Sequence, residues 1–192
     1  MSLSAPAERQ PLHERNYDFR GYRRSDGLWD IEGHLVDTKD YAFDNEWRGT
    51  VSPGTPVHDM WIRLTLDDGL TVRDIEAATA AAPFSVCGDI APGFAAVKGL
   101  TVGPGWRKQI KERLGGVKGC THLVEMLGAM ATVAYQTMWK HVSAEMSATG
   151  SGSSRRPGFI DSCHAFASDG EVVRRSWPDF YTGPGKIKAP EA

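Results

Sequence analysis

The chain is predicted to be an α+β protein: an antiparallel sheet with helices on one face, completed by a C-terminal hairpin. Three observations carry this. Apolar residues alternate with polar ones through residues 28 to 43 and again through 60 to 82, the period of half-buried strands. The turn "DDG" at 67–69 joins the two strands of the second stretch. Beyond Gly88 the period lengthens to about 3.6 and stays there to residue 146.

Element by element, residues 1–26 are polar, arginine-rich and interrupted by Pro6 and Pro11, and are expected to form an N-terminal arm without a core of its own. Residues 27–192 are expected to form one α+β domain. In "LWDIEGHLVDTKDYAF", Trp29, Ile31, Gly33 and Leu35 alternate with Asp30, Glu32 and His34. "MWIRLTL" at 60–66 and "TVRDIEAATAAAP" supply the second and third strands of an antiparallel meander. Two short helices are predicted in "DIAPGFAAVKGL" and "GPGWRKQIKERLGG", where Pro104 suits a helix start and Gly115 and Gly116 its end. One continuous helix over 121–146 follows, with Thr121 as N-cap and Leu123, Leu127, Met130, Ala134, Met138 and His141 on the face turned to the sheet. "SATGSGSSRRPG", about 147–158, has a flexible linker's composition, and "FIDSCHAFASDGEVVRRSWPDFY" reads as the closing hairpin with "SDG" as its turn.

Composition narrows the function. Lys plus Arg number 22 against 24 Asp plus Glu, so no strong field draws the chain to nucleic acid or an anionic membrane. No apolar run reaches the roughly 20 residues needed to span a bilayer, and the first 24 residues lack the apolar centre of a secretion signal. A cytoplasmic protein is expected. Three well-separated cysteines, Cys87, Cys120 and Cys163, argue against a disulfide framework. The chain has no P-loop, no G-x-G-x-x-G after a strand and no C-x-x-C or H-E-x-x-H, so nucleotide cofactors and compact metal motifs are not expected.

The residues suited to chemistry lie at junctions. In "GGVKGCTHLVEML", Cys120 and His122 stand at the start of the long helix, where unpaired amides favour a thiolate and a neutral imidazole, and Glu125 follows one turn later. In "PGTPVHDMW", His58 and Asp59 enter a strand from a loop, and as neighbours in extended chain they point to opposite sides. Cys87 ends a strand in "PFSVCGD", and Cys163 and His164 adjoin in "DSCHAF". Some of the six tryptophans, Trp29, Trp47, Trp61, Trp106, Trp139 and Trp177, could line a pocket with aromatic surface.

"PVHDMWIRLTLDD", "VRDIEAATAAAPFSVC", "GLTVGPGW", "ERLGGVKGCTHLVEMLG" and "SCHAFASDGEVVRRSWPDFY" together resemble the bacterial family of domains of unknown function numbered 2889, over about residues 20–181. The order of strands, cysteines and helices is also similar to that of iron–sulfur cluster scaffolds of the NifU type. That likeness implies that His58 stands at the scaffolds' first cysteine and Asp59 at or near their aspartate. It places Cys87 near their second cysteine and Cys120 at their third, with Gly119 replacing their histidine.

Three functions follow as expectations. The first is a small-molecule enzyme, a lyase or hydrolase, acting without a cofactor on an aromatic or carbonyl compound. In it His58 or His122 moves a proton, and Asp59 or Glu125 orients the imidazole. The second is a zinc or iron protein, or iron–sulfur scaffold, with Cys87, Cys120, His58 and Asp59 as ligands. The third is a binding module without chemistry. A homo-oligomer is left open.

Overall fold

A computed structural model describes residues 3–148 and 156–184. The fold is α+β, built on a four-stranded antiparallel sheet. Its strands are β1 (His13–Arg23), β2 (Trp29–Lys39), β5 (His58–Leu66) and β6 (Val72–Ala81), in that spatial order. A separate two-stranded ribbon of β3 (Phe43–Asn45) and β4 (Gly49–Val51) lies between β2 and β5 in sequence. β5 and β6 meet in a tight turn in which Thr71 N donates to Asp67 Oδ1 and Leu70 takes φ 62°, so that Leu70 and not Gly69 carries the left-handed conformation.

Strand β1 occupies residues expected to form an arm. It pairs with β2 residue for residue, from His13 opposite Lys39 to Arg23 opposite Trp29. The reason it escapes notice in the sequence is that charge dominates it: Tyr17 and Phe19 are its main apolar side chains, and an edge strand needs to bury little to be held by one ladder.

The inward row of β2 is Ile31, Gly33, Leu35 and Asp37, and that of β5 is His58, Met60, Ile62, Leu64 and Leu66. Over these rows packs α2 (Thr121–Thr137), through Leu123, Met126, Leu127, Met130 and Ala134, all fully buried. The close approach depends on Gly33: a Cβ there would fall 2.9 Å from Met126 Cε and 2.9 Å from the Phe19 ring. Helix α1 (Trp106–Leu114) supports α2, its Trp106 Nε1 donating to Leu127 O at 2.9 Å. The first short helix, expected in residues 89–100, is instead part of a run of 3₁₀ turns over Ser85–Val97 with Pro92 inside, and Phe94 and Val97 seat it in the core. A proline removes one i→i−4 bond and crowds the preceding turn, which disfavours a regular α-helix there.

The helix expected to run unbroken over 121–146 ends at Thr137. Met138 takes φ −92° and ψ 5°, and α3 (Trp139–Ala148) begins after it. Met138 is fully buried and Val142 packs against the same core. The break therefore leaves the apolar stripe on the core.

The contacts divide the chain into two compact units, Met1–Val142 and Ser143–Ala192. Most of the stretch with a linker's composition lies outside the described residues. In the second unit the expected hairpin is absent from the described residues. They form short 3₁₀ turns at His164–Phe166 and Pro178–Phe180 and a helix, α4 (Glu171–Ser176), around buried Ile160, Val173 and Tyr181. Glu171 pairs with Arg174 and Arg175, three and four residues on, and Pro178 begins the following turn. These local preferences favour helix over the β-propensity of Val172 and Val173.

Candidate functional site

Register sets the site. Asp37 on β2 lies opposite His58 on β5, both at the end of the helix-covered face, and Arg15 on β1 lies opposite Asp37. Asp37 continues the inward row begun by Ile31, so the fold places a carboxylate where a core side chain would stand, 2 % exposed. Its oxygens are almost saturated. Oδ1 accepts from the His58 backbone amide at 2.9 Å and from His58 Nδ1 at 2.9 Å. Oδ2 accepts from Arg15 Nε at 3.0 Å and from Arg15 Nη2, with His13 Nε2 at 3.4 Å. Burial pushes the Asp37 carboxyl up, but the hydrogen bonds from Arg15 and His58 and the His58 charge outweigh it and bring it down to about 2. An ionised carboxylate only accepts, so Nδ1 of His58 carries a proton that it donates to Asp37, and Nε2 is the nitrogen this bond leaves unused.

From the other side comes α2. Gly119, just before it, sits in a turn so tight that a Cβ would lie 2.3 Å from Leu114 O. The cap position falls on Cys120, whose side chain makes no capping hydrogen bond, and Thr121 is the first helical residue, exposed, where it was expected to be the cap. His122 then projects over the sheet end. Its ring centroid is 4.0 Å from that of His58, with the planes at 40°. Arg15 Nη2 stands 3.1 Å from His122 Nε2. A guanidinium can only donate, so Nε2 accepts and the imidazole proton sits on Nδ1, which faces Cys120 Sγ at 3.8 Å. Burial, then His58, then Arg15 hold His122 below the ordinary histidine range, which keeps it neutral.

The other expected site residues fall outside this contact network. Glu125 is exposed one turn along α2 and receives the Tyr17 hydroxyl at 3.5 Å. Asp59 turns to the open face of the sheet, where it meets His34 Nε2 at 2.8 Å, and His34 stacks on Trp61 with centroids 3.6 Å apart. A depression of ≈ 200 Å³ on that face is lined by Glu32, Trp61, Ile62, Arg63, Glu76 and Ala78. Cys87, expected to end a strand, lies half-buried in the 3₁₀ segment Ser85–Val97, because β6 has already ended at Ala81. Among the described residues, one group of side chains brings three metal-donor atoms within 4.8 Å of one another. It consists of Asp37, His58 and His122, without Cys87, Cys120 or Asp59. Of the tryptophans, Trp106 is buried and structural, while Trp47, Trp61 and Trp139 are exposed.

Two residues of the cluster, Asp37 and Arg15, were not among those expected. Asp37 was legible: the alternation Ile31, Gly33, Leu35 extends one step further to an acid at a core position. Arg15 was not, because nothing in the sequence pairs β1 with β2.

Fold and cluster define an α+β protein with a buried aspartate and two facing histidines at one end of the covered sheet. The family model described as "Protein of unknown function (DUF2889)" matches residues 13–136, and the chain belongs to that family. No curated protein and no solved structure matches it.

Proposed function

We propose that the protein is a small-molecule enzyme of lyase or hydrolase type, working by proton transfer at His58 and His122 on a carbonyl or aromatic compound. One observation carries the reading: an imidazole fixed by a buried, ionised aspartate faces a second, neutral imidazole at 4.0 Å. Asp37 holds His58 with its Nδ1 proton turned inward, so Nε2 is the base, and the imidazolium formed when it takes a proton is stabilised by the same carboxylate. His122, neutral and close by, is the second proton-handling group. Asp37 takes the orienting role first assigned to Asp59 or Glu125. Arg15 is a permanent positive charge that can stand beside a developing oxyanion. The stacked Tyr17 and Phe19 rings, on the same side of β1 as Arg15, supply a flat apolar surface for an aromatic substrate.

The test is hydrogen–deuterium exchange into a panel of small carbonyl and phenolic compounds in D₂O, followed by NMR. Exchange catalysed by the wild type should fall by about 10²-fold or more in His58→Ala and in His122→Ala. Exchange at the wild-type rate in both folded variants overturns the proposal.

A further inference from the structure

We infer that Asp37, His58 and His122 also bind one divalent transition-metal ion, and that the Arg15 guanidinium occupies the ion's place until it is displaced. One donor atom from each of the three side chains lies within 4.8 Å of the other two. Ligands bonded to zinc at about 2.0–2.2 Å stand roughly 3.5 Å apart in a tetrahedral shell, so side-chain rotations of about 1 Å close the group on an ion. Two imidazoles and one carboxylate select zinc, iron, cobalt, nickel or copper over magnesium and calcium, which want oxygen, and they leave further positions open.

Arg15 is the second half of the argument. Its Nη2 is hydrogen-bonded to Asp37 Oδ2 and lies 3.1 Å from His122 Nε2, the two lone pairs that a metal would take. A cation that cannot deprotonate already sits between two of the three donors. It comes from β1, an edge strand held on one side only, and its side chain is 29 % exposed, so it has solvent to swing into. Cys120 Sγ faces the opposite ring nitrogen of His122 at 3.8 Å, in position to orient the imidazole without ligating.

The consequence for activity rests on the acid–base reading: an imidazole whose lone pair is on a metal cannot take a proton, so metal binding switches the centre off. Binding itself does not depend on that reading.

The experiment is titration of zinc into the chelator-stripped full chain by calorimetry, with a chromogenic chelator as competitor. The wild type should take up one zinc per chain, and His58→Ala and His122→Ala should each weaken it by more than about tenfold. Arg15→Met should tighten it by about tenfold or more, the equivalent of one fixed positive charge removed from the ion's place. Magnesium at the same concentration should not bind. Zinc uptake unchanged in both histidine variants but lost in Cys163→Ser would place the ion on the exposed Cys163–His164 pair and overturn the inference. No uptake by the wild type overturns it as well. If Arg15→Met does not fold, the wild-type and histidine titrations decide alone. Zinc uptake that depends on His122, in a protein whose metal-free form shows no His58-dependent exchange, keeps the metal site and removes the acid–base reading. His58-dependent exchange with no zinc uptake does the reverse.

Discussion

His58 and Asp59 are neighbours in the chain, yet they belong to different faces of the sheet, and each has found a partner on β2. On the covered face His58 meets Asp37, with Arg15 and His122 closing around the pair. On the open face Asp59 meets His34, which lies flat on Trp61. Both are histidine–aspartate pairs with nearly equal distances, 2.9 and 2.8 Å. They differ in surroundings. Asp37 is 2 % exposed and must be satisfied by protein, whereas Asp59 keeps 28 % of its side-chain surface in water. Burial makes each hydrogen bond and charge on the covered face count for more, so the same two residue types give a strongly coupled centre on one face and a weakly coupled surface pair on the other.

The largest expected difference between the faces is in stability. Asp37→Ala leaves the half-buried Arg15 and His58 without the carboxylate that satisfies them and should cost about 2–3 kcal/mol in urea unfolding, whereas Asp59→Ala should cost no more than about 1 kcal/mol. Equal costs would mean that water reaches both faces alike. Next comes catalysis: in the exchange assay His58→Ala and His122→Ala should lose about 10²-fold or more and His34→Ala less than about twofold. A loss of similar size in His34→Ala would move the proposed chemistry to the open face.

Smaller effects test the packing that brings α2 down. Gly33→Ala should lower stability by about 1 kcal/mol, near the bottom of the overpacking range, because one of the clashing atoms is the flexible end of Met126. The neighbouring open-face change Glu32→Ala should stay within about 0.5 kcal/mol. Thermal unfolding of the two variants makes the comparison. Among the smaller effects is also His34→Ala on stability: it removes the cover from Trp61, already 43 % exposed, and should change stability by less than about 1 kcal/mol while altering tryptophan fluorescence. An unchanged spectrum would mean that the stack does not persist in solution.

What the sequence determined by itself is local. The period of two in β2 and β5, the turn between β5 and β6 and the apolar stripe of α2 are written in spacing, because each is set by residues a few positions apart. So is the placement of His58 and Asp59 on opposite sides. The facing of Leu123, Leu127, Met130 and Ala134 toward the sheet follows from the same rule. What misled was also local: charge hid β1, and "SDG" suggested a hairpin turn where glutamate–arginine pairs and a proline favour helical turns.

The site belongs to the tertiary structure. Arg15, Asp37, His58 and His122 come from four segments, and the first and last are 107 positions apart. Only the ladder register sets Asp37 opposite both Arg15 and His58, and the packing of α2 on the sheet, close enough for Met126 to touch Gly33, brings His122 to meet them. Asp37 shows the boundary between the two. Its inward position is readable from the alternation of β2, but an acid at a core position is costly unless partnered, and the partners are supplied by strands and a helix that meet only when the chain folds.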